Sequence, residues 1–181
     1  WKPSIENADL AYKLWQKRIG TFVTSSIGRI FDAAANLVLG LNEASYEGHA
    51  PMILESLSSR DTEFINLPIR HDGDGVLRMD WEPMLDVLVD HTIAAGRRAA
   101  FLHECLAQAA LRIALKLREN HKFDAVGLCG GVFQNRRLAD RVVSLLQQAD
   151  MQCYMPEVVP LNDEGLAFGQ LIESHANWAV S

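Results

Sequence analysis

Between Asp124 and Gln148 a short apolar run, a glycine pair and a helical pattern follow one another without a gap, and that order restricts the fold more than any other stretch. Asp124 to Leu128 (DAVGL) has the length and character of a short buried strand. Gly130 and Gly131 come directly after Cys129, and Val132, Leu138, Val142, Val143, Leu145 and Leu146 then recur at helix-like spacing, which predicts a helix over 132–148. Glycine lets backbone approach a ligand with no Cβ in the way, and a helix N-terminus offers unpaired N–H groups and partial positive charge. Strand, glycine turn and helix together suit a phosphate. Many such turns use glycine for geometry alone, so the motif by itself leaves both readings open.

The rest of the chain alternates in a way that extends this unit. Helical patterns are expected from Asn7 to Arg18 and from Ser26 to Leu39, the second with Thr24-Ser25-Ser26 as hydroxyl caps and Gly40 at its end. A loop at Ser45 to Gly48 leads into a short helix ending near Leu57. Phe64, Leu67 and Ile69 lead into His71-Asp72-Gly73-Asp74-Gly75 and Val76 to Met79 lead out, so two Asp-Gly pairs mark a hairpin. Pro83 fits a first helical turn, and a long helix is expected from Thr92 to Asn120, bent near Gly96. Met151 to Met155 is a further strand, and Asn162 to Gly165 precedes a last helix carrying Leu166, Phe168, Leu171 and Ile172. Strands alternating with helices in the last third point to a parallel sheet with crossover helices. The loops at the strand ends, 129–132 and 158–164, would then share one rim.

Composition narrows the function classes. With 181 residues, 49% of them hydrophobic, one domain with a sizeable core is expected. A net charge of −6 and no basic stripe argue against nucleic acid as the partner. No apolar segment approaches the roughly 20 residues that span a bilayer, and no signal-peptide layout is present, so a cytoplasmic protein without membrane contact is expected. Cys105, Cys129 and Cys153 are odd in number and lack a CxxC pair, which suggests reduced thiols in or near the core. Trp1 in place of an initiator methionine suggests a piece of something longer.

Each candidate residue has a plain reading beside its functional one. Asp163 could be a metal or phosphate-site carboxylate, or a helix cap, a role Asn162 would serve equally. Asp32 lies one turn after Gly28, so both could face a ligand, while Arg29 could bind an anion or simply pair with Asp32. His103, inside an apolar helix, reads as a packed histidine. His71 with Asp72 and Asp74 is explained by turn chemistry. Cys129 has no histidine near it in sequence and is a small strand-end residue rather than a nucleophile.

Four blocks carry a resemblance: Thr24-Ser25-Ser26-Ile27-Gly28-Arg29-Ile30-Phe31-Asp32-Ala33, Ser45-Tyr46-Glu47-Gly48-His49-Ala50, Gly130-Gly131-Val132-Phe133-Gln134-Asn135-Arg136, and Val159 to Gln170 (VPLNDEGLAFGQ). In this order they resemble the HypF family, the carbamoyltransferases of [NiFe]-hydrogenase maturation. The resemblance implies that 1–181 is the C-terminal lobe of the carbamoyltransferase domain, which is related to the tRNA threonylcarbamoyl transferase TsaD. The implied fold class is α/β and helix-rich, a mixed sheet flanked by helices in the actin-like ATPase (ASKHA, RNase H-like) group.

What the resemblance implies about chemistry is specific. Such enzymes use carbamoyl phosphate and ATP to make carbamoyl-adenylate, then pass the carbamoyl group to the C-terminal cysteine thiol of HypE, the source of the cyanide ligands. Gly130 and Gly131 would hold nucleotide phosphate, Asn135, Gly28 and Asp32 would contact the nucleoside, and Asp163 would bind a divalent metal, Mg or Fe. No catalytic side chain is assigned. Departures from the family pattern are Cys129, His49 and Glu164, the last adding a charge beside Asp163. The family's HxxxH metal pair lies in an earlier lobe, so a chain of this extent is expected to need the remaining HypF domains for turnover. Two other readings stay open: an O-carbamoyltransferase acting on a small-molecule hydroxyl, and a noncatalytic nucleotide-responsive or partner-docking module.

Overall fold

The structure, a computed structural model, describes residues 8–178; Trp1 and Asn7 fall outside them. Seven α-helices and four short strands follow in the order α1 (Ala8–Gln16), α2 (Ile27–Leu39), α3 (His49–Leu57), β1 (Ile69–His71), β2 (Leu77–Met79), α4 (Leu85–Leu88), α5 (Ala95–Asn120), β3 (Ala125–Gly127), α6 (Arg136–Gln148), β4 (Gln152–Tyr154) and α7 (Leu166–Trp178). The helix-rich α/β character is as the sequence implies. Its strands form two separate two-stranded sheets among the described residues, β1 antiparallel to β2 and β3 parallel to β4. The β1–β2 reversal falls on the two Asp-Gly pairs, where Arg78 bonds both Asp72 and Asp74. Between β3 and β4 the crossover is α6, as the alternating pattern requires.

The core lies between the helices, not on a sheet. Phe31, Ala34 and Ala35 of α2, Leu54 of α3, Leu102, Cys105 and Ala109 of α5 and Val142 and Leu146 of α6 form one buried cluster. α5 is its axis and packs against α2, α3, α4 and α6. β3 is less buried than its composition suggests, with Ala125 and Gly127 exposed and only Leu128, just past its end, buried. A sheet of only two strands leaves it short of cover.

Three expectations need correction in detail. The helix over 132–148 is broken: a 3-10 turn covers Gly131–Gln134, and α6 begins after Asn135. Asn135 breaks it by serving as N-cap, its Oδ1 accepting from the Leu138 N–H at 2.9 Å. The long helix is not bent at Gly96 but starts one residue before it, because Asp90 accepts from the Thr92 N–H and hydroxyl and turns the chain first. Gly96 is needed for closeness: a Cβ there would meet the Leu57 carbonyl at 2.8 Å. Of the thiols, Cys105 is buried and Cys153 half-buried, but Cys129 is exposed.

Polar groups inside this core are tied in pairs. Arg141 of α6 grips Glu104 of α5 through both carboxylate oxygens at 2.8–3.0 Å, and Gln108 adds a bond. Burial would raise the Glu104 carboxyl, but these bonds and the Arg141 charge outweigh it and hold the group below its usual value. Arg98, also buried, donates to Leu37, Val38 and Leu88 carbonyls, placing a cation at the C-terminal ends of α2 and α4. No helix among the described residues is long and apolar enough to cross a membrane.

Candidate nucleotide site

The glycine turn is built by two loops meeting. Gly130, at φ 105°, is in a conformation that side-chain-bearing residues avoid, and its N–H donates to the Leu161 carbonyl at 2.7 Å. Gly131 lies against Asn162, 3.7 Å from that residue's Cβ to the position a Cβ would take. The loops 129–132 and 158–164 therefore do share a rim, as the strand order implied. Gly165 closes the second loop, since a Cβ there would sit 2.6 Å from the Pro160 carbonyl. Among the described residues, the N–H groups of Gly131 and Val132 have no acceptor. Two adjacent backbone donors beside a glycine whose positive φ disfavours any side chain are suited to an anion.

α2 supplies the neighbouring wall. It packs on the turn Gly131–Gln134. Ser26 occupies the N-cap position of α2 without a side-chain cap bond, its own N–H instead donating to the Thr24 hydroxyl at 3.1 Å. Asp32 is half-buried and pairs with Arg29 at 3.0 Å. Arg29 is 61% exposed, so the pair is worth little in water and opens readily to a ligand. Both Arg29 and Asp32 line a cleft of about 580 Å³ that continues along Asn42, Glu43, Tyr46 and Glu47. Beside it His49 holds the loop, its ring 4.8 Å from the Tyr46 ring and its Nδ1 accepting from the Ser45 N–H. Three carboxylates around an open cleft suit a ligand rich in hydroxyl donors.

Asn135 and Asp163 are placed differently from one another. Asn135 is buried, and both ends of its amide are used inside the protein: Oδ1 caps α6 and Nδ2 bonds His103 Nε2 at 2.9 Å. Its side chain thus supports the rim from behind and does not face the cleft. The head of α6 is committed as well, for the Arg137 N–H donates to Glu55 Oε1 at 3.1 Å. Free anion donors therefore lie on the 3-10 turn, one step earlier in the chain than the helix start to which the sequence points. Glu55 was invisible to sequence reasoning because it reaches across 82 residues; Asn135 carried a signal, being a strong capping residue three before Leu138.

Asp163 is exposed at the start of the turn leading into α7. The capping role considered for this loop is not played by a side chain: Asn162 sits at the cap position without a cap bond, and its Oδ1 is buried without a partner. No group of three His, Cys, Asp or Glu side chains among the described residues could hold a metal. One exposed carboxylate does not make a metal site, so the residues in hand do not by themselves fit a bound ion.

Comparison with known proteins fits this geometry. Residues 2–170 match the family model described as Carbamoyltransferase, Kae1-like Domain, second subdomain. Carbamoyltransferase HypF of Rhodobacter capsulatus is 39% identical over 173 residues, covering 93% of this chain and 22% of the relative. Its counterpart in Synechocystis is 30% identical over the same length, covering 92% and 22%. A crystal structure of full-length HypF in the phosphate- and nucleotide-bound form superposes with a TM-score of 0.83 at 30% identity, covering 90% of this chain and 22% of that one. The chain thus spans about a fifth of the length of these relatives. By sequence and by fold alike, it belongs to the HypF carbamoyltransferase family, whose Kae1-like domain it matches in the second subdomain.

Proposed function

We propose that this chain forms the nucleotide-holding part of an ATP- and carbamoyl phosphate-dependent carbamoyltransferase. The observation that carries the reading is the pair of N–H groups at Gly131 and Val132, without an acceptor among the described residues, on a turn against which α2 packs. A relative of the same fold was crystallised with phosphate and nucleotide bound, which supports a nucleotide here. Gly130 and Gly131 would let the backbone close on the phosphates, and Gly28 and Asp32 would meet the ribose across the cleft. Asn135 would keep the turn in place, acting through the structure and not by touching the ligand.

The acyl carrier is carbamoyl-adenylate, made from carbamoyl phosphate and ATP, and the acceptor is the C-terminal cysteine thiol of HypE, on the route to cyanide ligands. This chain's contribution is positioning: fixed backbone donors hold the adenylate phosphate while the partner's thiol, giving its proton to solvent, attacks the carbamoyl carbon and the C–O bond to the phosphate breaks, releasing AMP. Asp163 stands on the same rim as a single exposed carboxylate.

The test is conversion of ATP to AMP and pyrophosphate by the full-length carbamoyltransferase carrying these residues, with carbamoyl phosphate and HypE present. Carbamoyl-phosphate-dependent turnover with carbamoylation of the HypE cysteine, lost in Gly131→Val, is the expected result. Turnover without transfer to HypE would move the acceptor to a small-molecule hydroxyl. No turnover, with nucleotide binding retained, would make the subdomain a noncatalytic module.

A further inference from the structure

We propose that His103 is a positioning residue of the nucleotide site, fixing Asn135 and the turn Gly131–Gln134 against the segment of α2 that carries Asp32. Its consequence for binding rests on the nucleotide reading above; its geometry does not. His103 is 1% exposed and stands where four helices meet. Its Nδ1 lies 2.7 Å from the Ala99 carbonyl on its own helix and 3.3 Å from the Ser58 hydroxyl at the end of α3. Nε2 lies 2.9 Å from Asn135 Nδ2, and the Phe31 ring, one residue before Asp32, meets the imidazole edge-on at 5.0 Å. One side chain therefore touches the residue next to Asp32 and the residue that ends the glycine turn.

Hydrogen-bond bookkeeping fixes its form. Asn135 Oδ1 is an acceptor, because it takes the Leu138 N–H, so Nδ2 is the end that donates to His103. Nε2 must then carry a lone pair and Nδ1 the hydrogen that goes to Ala99, a tautomer assigned from the network. An imidazolium would set a second donor against Nδ2. Burial, helped by the Arg137 charge, pushes the His103 pKa down to about 4, so the required neutral ring is present at neutral pH. A histidine wanted only for bulk would be replaceable by an apolar residue; here that would leave the Asn135 amide buried with a donor unsatisfied.

Two polar substitutions separate positioning from packing. In His103→Gln the amide oxygen can reach the place of Nε2, whereas His103→Asn is too short and keeps only the side toward Ala99. Both disturb the packing. We expect ATP with Mg²⁺, followed by calorimetry on the full-length carbamoyltransferase carrying these residues, to bind about tenfold more weakly to His103→Asn and within about threefold of wild type to His103→Gln, tenfold being one step of about 1.4 kcal/mol. Equal weakening in both, or none in either, would overturn the proposal. Independently of any ligand, ¹⁵N spectra of the wild-type ring should show hydrogen on Nδ1, and exchange of the Leu138 N–H should speed up about tenfold in His103→Asn only. Hydrogen on Nε2, or unchanged exchange, would sink the positioning role even if nucleotide binds. A full-length wild type that ignores ATP but passes the ring and exchange tests would instead count against the nucleotide reading alone.

Discussion

α6 and α7 are each 13 residues long, both carry apolar residues at helical spacing, and they end in opposite situations. α6 buries Leu138, Ala139, Val142, Leu145 and Leu146, is capped by Asn135, receives Glu55 at its head and is clamped to α5 by Arg141 and Glu104. α7 leaves Leu166, Phe168, Leu171 and Ile172 exposed, Leu171 at 70%. α1 is like α7: it is amphipathic, buries no residue, and shows Trp15 at 62%. Periodicity decides which face of a helix is apolar; whether that face finds a partner depends on polar anchors and close-fitting neighbours that the period does not encode.

Four measurements would break or sharpen this contrast. Leu146→Ala should remove about 4 kcal/mol from unfolding stability in urea, as a fully buried leucine leaves a cavity between α6 and the rest of the core. Arg141→Met should cost about 3 kcal/mol, since it abandons the Glu104 carboxylate inside while Arg141 itself is about a third exposed. That loss should shrink in acid, where Glu104 takes a proton. Acidification should itself weaken the wild type: His103 titrates near 6.5 when unfolded and about 4 when folded, so its contribution is complete above 6.5 and declines as pH falls toward 4. Between pH 7 and pH 5 the decline amounts to about 2 kcal/mol, and a His103→Gln chain should lack it. Leu171→Ser, by contrast, should shift the unfolding midpoint of this chain by less than about 0.5 kcal/mol. A larger loss would show that α7 has a partner after all.

What the sequence allowed to be read follows the same division. The hairpin was legible because Asp-Gly pairs have few other uses, and the α6 crossover because strand and helix signals adjoined a glycine pair. Gly130 is brought against Leu161, and α2 packs on the turn that Gly131 opens. Asn135 was recognised but its direction was not: a residue's type says that it will bond, whereas only tertiary packing says that His103 waits on the inner side. The exposure of β3 escaped detection because an apolar tripeptide reads the same whether or not a second sheet covers it. The loop of Ser45 to Ala50 was visible as a motif, but without a periodic signal the cleft it shares with Arg29 and Asp32 came from the geometry.

The bond from Gly130 to Leu161 has a consequence for inheritance. It joins two loops some thirty residues apart, and Gly165 seals the second so tightly that it cannot yield to accommodate change in the first. Neither loop can drift alone. In a chimera between two relatives, a transplanted 129–131 segment should work only when 158–165 travels with it, so the unit that selection acts on is the pair.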